Sequence, residues 1–151
     1  MRLWVDTSAV NTAGVAIRAK VSEMTKDIDR QVVSRATRAL NALRNAELEV
    51  LKGQRSGRVY RKYPYKSTYT ASAPGEPPAR RTGALRLHWN GRVETAAAKS
   101  GVTTVKVVLE SQERYSGKLD GGTPKMAARP FHDRIVEKAK PEIEKIYGQS
   151  Y

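Results

Sequence analysis

From Thr12 to Lys52 the chain carries a single amphipathic pattern that no proline interrupts. Ile17, Val21, Met24, Ile28, Val32, Ala36, Ala39, Leu43, Ala46 and Val50 follow steps of three and four, with recurrences at seven, which puts them on one face of an α-helix. Asn11 or Thr12 is placed to cap the start, and Gly53 stands where a left-handed C-terminal cap belongs. Forty residues of helix extend about 60 Å. A 151-residue chain suits one domain over residues 1–151, and a domain of that size does not need so long a helix to cover its own core. Either the helix breaks near Gly14 or Asp27–Asp29, or part of its stripe packs on a neighbouring subunit.

Beyond this segment the pattern changes. Residues 53–81 contain Gly53, Gly57, Pro64, Pro74, Gly75, Pro77 and Pro78, with no sustained helical or strand period, and read as one long loop. Leu85, Leu87 and Trp89 alternate with Arg86, His88 and Asn90, and Val105, Val107 and Leu109 alternate with Thr104, Lys106 and Glu110, as two half-buried strands do. Glu94 to Gly101 forms the hairpin connection, and Leu3 and Val5 suit a short N-terminal strand. After an irregular stretch from Tyr115 to Ala128, Pro130 is placed as the first residue of a final helix with Phe131, Ile135, Ala139, Ile143 and Ile146 on one face. Pro141 lies inside that helix and should kink or restart it. The order predicts an α+β fold: a long N-terminal amphipathic helix, an extended basic loop, a small antiparallel sheet and a C-terminal helix.

Charge narrows the partners. Lys and Arg number 28 against 15 Asp and Glu, a formal +13. Between Gly53 and Arg92 lie nine basic residues and one acid, Glu76, so eight of the thirteen net charges fall in that stretch. It also holds Tyr60, Tyr63, Tyr65 and Tyr69, four of the seven tyrosines. Interleaved Tyr and Arg can stack on bases and neutralise phosphates, and the same composition is enriched at protein interfaces. Both readings stay open for Arg55, Arg58, Arg61, Lys62 and Lys66, as a DNA-channel or acidic-partner surface.

Catalytic machinery is not recognisable. Without cysteine there is no thiolate nucleophile or thiolate metal site. His88 and His132 have no metal-ligand spacing, and the carboxylates sit mainly among basic residues on helical stretches. Gly117, Gly121 and Gly122 do not form a phosphate-binding motif, and Ser72 lacks the glycine that a nucleophile elbow needs two residues before it. The chain therefore reads as a non-enzyme with no metal or cofactor. With no apolar run of the roughly 20 residues that span a bilayer, and no signal-peptide core, it also reads as made in the cytoplasm, with no membrane partner.

Two stretches carry a resemblance. Ser72-Ala73-Pro74-Gly75-Glu76-Pro77-Pro78 leads into Thr82-Gly83-Ala84-Leu85, and later Gly122-Thr123-Pro124-Lys125-Met126-Ala127-Ala128-Arg129-Pro130-Phe131 leads into the final helix. In this order and separation they resemble the neck or tail-completion proteins of long-tailed bacteriophages, a family also described as head-tail connector or tail-component proteins. Asp120-Gly121 departs from the family's usual glutamate followed by an aromatic or other side chain. The resemblance implies a virion structural protein that forms a six-fold or twelve-fold ring at the head–tail interface, joining head to tail and lining the DNA path. It implies assembly in the host cytoplasm and adjoining partners of the head-closure or connector and tail-terminator or tail-tube kinds. Ser72, Pro74, Gly75, Pro77, Pro78, Thr82, Gly122, Thr123, Met126 and Arg129 become the expected subunit-interface residues, whereas Gly83, Pro130 and Phe131 are read as holding the fold. A small basic nucleic-acid-binding protein, or a tail-assembly chaperone absent from the mature virion, are the competing readings.

Overall fold

A computed structural model describes residues 8–97 and 103–150; the proposed strand at Leu3 and Val5 lies outside them. In chain order the elements are α1 (Ser8–Val50), β1 (Val59–Arg61), β2 (Thr68–Thr70), α2 (Ala84–Leu87), β3 (Trp89–Ala97), β4 (Thr103–Ser111), α3 (Ser116–Gly121) and α4 (His132–Tyr147). The fold is α+β, with two separate two-stranded antiparallel sheets, β1–β2 and β3–β4.

The core lies where α4 crosses the second half of α1. Ala46, Leu51, Phe131, Ile135 and Ala139 are buried together, with Leu43, Val50, Leu85, Trp89, Leu119 and Ile143 packed around them. Alanines at 36, 39, 46 and 139 carry so little side chain that the two helices can lie close, and α4 runs antiparallel to α1. Lys138 reaches Glu49 at 2.7 Å near one end of this pairing. At the other, Arg35 donates to the Ser150 carbonyl at 2.6 Å and Arg38 to Gln149 at 3.0 Å. Burying Phe131, Ile135 and Ile146 contributes roughly 1.5–3 kcal/mol each. The long hairpin β3–β4, in register from Trp89↔Ser111 to Ala97↔Thr103, lies across α1, and Gly91 leaves room there for Leu40.

Several expectations are corrected. α1 is unbroken through Gly14 and Asp27–Asp29 and already includes Asn11 and Thr12, so neither of these begins it. Gly53 is not left-handed. Arg55 closes the helix instead, its Nη2 donating to the Val50 carbonyl at 2.8 Å, while Arg86 Nε reaches the Leu48 carbonyl at 3.3 Å; two cations thus satisfy carbonyls at the negative end of the helix. The expected loop 53–81 contains the β1–β2 hairpin, whose three-residue strands are too short to show a period.

Leu85 and Leu87 do not belong to a strand. Gly83, at φ +93°, turns the chain into the single helical turn α2, and the strand begins only at Trp89. Leu85 and Trp89 are spaced four apart as well as two plus two, and the helical spacing is the one realised: both pack on the core, and Leu87 is exposed. The hairpin connection is shorter than expected, because Glu94 to Ala97 belong to β3. Pro130 precedes α4 by two residues instead of opening it, and α4 continues through Pro141 to Tyr147.

Candidate functional site

The two stretches that carry the family resemblance meet in space. Arg129 donates through Nη1 to both the carbonyl and the hydroxyl of Ser72. Beside that contact, the Gly75 N–H bonds to the Ala128 carbonyl at 3.1 Å, and Arg134 on α4 donates to the Gly75 carbonyl at 2.8 Å. Each loop is also braced internally. Glu76 accepts from the Ser56 hydroxyl at 2.6 Å, the Ser56 N–H at 3.1 Å and the Ala73 N–H at 2.9 Å. These donors, with Arg55 nearby, hold its carboxyl down to about 2.

In the second loop, Thr123 and Met126 exchange backbone hydrogen bonds at 2.8 and 3.0 Å. Gly122 lies at φ +77°, and a Cβ there would sit 2.8 Å from the Ala128 nitrogen, so the Gly-Thr-x-x-Met pattern describes a turn that only glycine closes. Asp120 takes the capping role that α4 lacks locally: its Oδ1 accepts the N–H groups of Phe131 at 2.8 Å and His132 at 3.1 Å.

The clasp sorts the expected interface residues. Ser72, Pro77 and Pro78 are buried within the single chain, and Arg129 is half-buried against Ser72. Pro74, Gly75, Thr82 and Thr123 remain exposed on the outer side, with Gly122 and Met126 half-buried behind them. Next to this surface a cleft of about 320 Å³ is lined by Leu51, Pro78, Arg80, Leu85, Tyr115 and Leu119, among others.

A second surface is the β1–β2 hairpin. Tyr60 and Tyr69 stack across its strands at 5.8 Å, and the Arg58 guanidinium lies 5.6 Å from the Tyr60 ring. At its base, Gly57 admits the backbone of residues 71–73 so closely that a Cβ would lie 2.6 Å from the Ala71 carbonyl oxygen. At its tip, the Tyr63–Pro64 peptide is cis, Lys62 N–H bonds to the Ser67 carbonyl, and Tyr63 and Tyr65 are 91 % and 69 % exposed. Arg58, Arg61 and Lys66 are exposed and Lys62 is half-buried, so four of the five expected basic residues share this arm. Arg55 does not: it caps α1 and donates to the Pro78 carbonyl at 3.2 Å.

Two features escaped the sequence reading. Glu47 is fully buried within α1, 2.9 Å from Arg44 Nη1, and burial pushes its carboxyl up to about 7 despite the opposing pull of Arg44 and Arg86. Its place between Ala46 and Leu48, on the edge of the apolar stripe, gives no cue to burial. Asp120 is the other, since its caps lie eleven and twelve residues away.

Compared with known proteins, the chain matches no family model, no curated protein and no solved structure. Among the described residues, no group of His, Asp and Glu side chains is placed to hold a metal ion, and no helix is long and apolar enough to cross a membrane.

Proposed function

We propose that this chain is a structural subunit of a tailed-phage virion, a ring-forming neck or tail-completion protein that joins head to tail and lines the DNA path. The observation that carries the reading is the clasp: the two stretches that resemble the neck family are held against each other by Arg129, Ser72, Gly75 and Ala128. A pre-ordered surface of this kind loses little entropy on docking. The outer side of the clasp, with Pro74, Gly75, Thr82 and Thr123, faces the next subunit of a six-fold or twelve-fold ring or an adjoining connector or tail protein. The basic arm faces passing DNA or an acidic partner.

No catalytic step is assigned, and the reading requires no cofactor. A second reading, a small protein that binds nucleic acid on its own, is favoured by the exposed Tyr63 and Tyr65 among Arg61, Lys62 and Lys66, which match a base-stacking platform. Mass spectrometry of purified virions separates the readings. The neck assignment predicts the chain in the virion at the fixed copy number of one six-fold or twelve-fold ring; its absence from infectious virions would favour an assembly chaperone or a free nucleic-acid-binding protein.

A further inference from the structure

The residues that follow α4, Gln149 and Ser150, reach Arg38 and Arg35, and among the described residues the stripe of α1 before Val32 is exposed. From Val15 to Ile28, about 20 Å of helix, every side chain is exposed, and the stripe is laid bare from 64 % at Ile17 to 47 % at Ile28. We propose that this segment pairs with the same segment of a second copy, as an antiparallel two-fold helix pair. The proposal does not rest on the ring reading: ring contacts join different faces of neighbouring subunits, whereas this contact joins a face to itself and closes at two.

Two observations select the second copy. The apolar positions 17, 21, 24 and 28 alternate steps of four and three, the spacing of a coiled-coil seam, with Val21 and Ile28 at one seam position and Ile17 and Met24 at the other. Residues 14–31 hold four basic side chains (Arg18, Lys20, Lys26, Arg30) and three acidic ones (Glu23, Asp27, Asp29), a net +1 in a chain of +13. That segment neither repels its own kind nor attracts nucleic acid.

The order of the charges then sets the direction. Arg18 and Lys20 come first, Asp27 and Asp29 later. Antiparallel packing lays Val21 on the second copy's Met24 and Ile17 on its Ile28, and brings Lys20 alongside the second copy's Asp27 twice by symmetry. Parallel packing lays the basic ends, Arg18 and Lys20, together and leaves Asp27 away from Lys20. Lys20 now pairs with Glu23 at 3.2 Å and Asp27 with Arg30 at 2.7 Å, both exposed contacts that are cheap to exchange.

The test uses the purified full chain. Sedimentation equilibrium should show a dimer by about 100 µM, and Val21→Asp should weaken it by at least about tenfold without changing the circular dichroism of the fold, because Val21 is exposed and is not part of the core cluster. The chain has no cysteine, so direction is read separately by introducing one. Mixed Ile17→Cys and Ile28→Cys chains should oxidise to the heterodisulfide, with little of either homodisulfide. A monomer at that concentration, or a Val21→Asp dimer as tight as wild type, overturns the pairing. Homodisulfides from each variant alone overturn the antiparallel arrangement.

Discussion

The guanidinium of Arg129 donates to both the carbonyl and the hydroxyl of Ser72, 57 residues earlier in the chain. Through this pair the lead-in to α4 and the proline loop become one body, and the loop's outer residues acquire a fixed geometry that neither stretch holds alone. The proline loop cannot be altered as a purely external surface, because Pro77 and Pro78 within it are buried.

Removing the clasp should therefore cost stability first. Arg129→Ala is expected to destabilise the chain by about 2 kcal/mol, the range for a charged donor lost from a part-buried bond. Ser72→Ala should cost less, since the carbonyl still accepts. The double variant should fall short of the sum of the two, because they share one interaction. Urea melts of the four proteins check this, and strict additivity would mean that the two residues act apart.

Much of the helical architecture is legible in the sequence, because Ala36, Ala39, Ala46, Ile135, Ala139 and Ile146 recur at helical spacing and are the residues that become buried. The short elements are not. Leu85 and Trp89 satisfy both periods, and the choice falls to Gly83, whose left-handed turn no spacing announces. The β1–β2 hairpin hides in a loop composition because each strand is three residues long and is held by one tyrosine stack and the close approach at Gly57. At the site, charge counting gathers Arg55 with Arg58, Arg61, Lys62 and Lys66, but only contact geometry reveals that Arg55 is spent on the end of α1.

The buried Glu47 gives the protein a definite pH dependence. Its carboxyl is raised from 4.5 to about 7 in the fold, so its contribution to stability is complete below about pH 4.5 and is lost as pH rises through 7. The loss is on the order of 3 kcal/mol. Glu76 acts in the opposite sense and at lower pH, losing its contribution as pH falls below 4.5 toward about 2. Glu47→Gln should flatten the fall in stability between pH 5 and 8 and leave the variant the more stable protein at pH 8. Thermal melts across that range check it, and an unchanged slope would assign the dependence elsewhere.

The arm's charges make a separate prediction. Replacing Arg58, Arg61, Lys62 and Lys66 by glutamine, with Arg55 kept because it caps α1, should leave the fold intact and weaken binding to duplex DNA. The loss should be equal on unrelated sequences, and the log–log salt slope should flatten by about 0.9 for each phosphate contact removed. A salt titration on two duplexes reads both quantities. An unchanged slope would turn the arm toward an acidic protein partner.

Whether this chain completes the junction of head and tail, as proposed, is decided by electron microscopy of a phage lysate made without it. Such a lysate should contain DNA-filled heads and separate tails that fail to join, or tails wrongly ended, with assembly restored when the protein is supplied in trans. Normal, infectious virions in that lysate would contradict it.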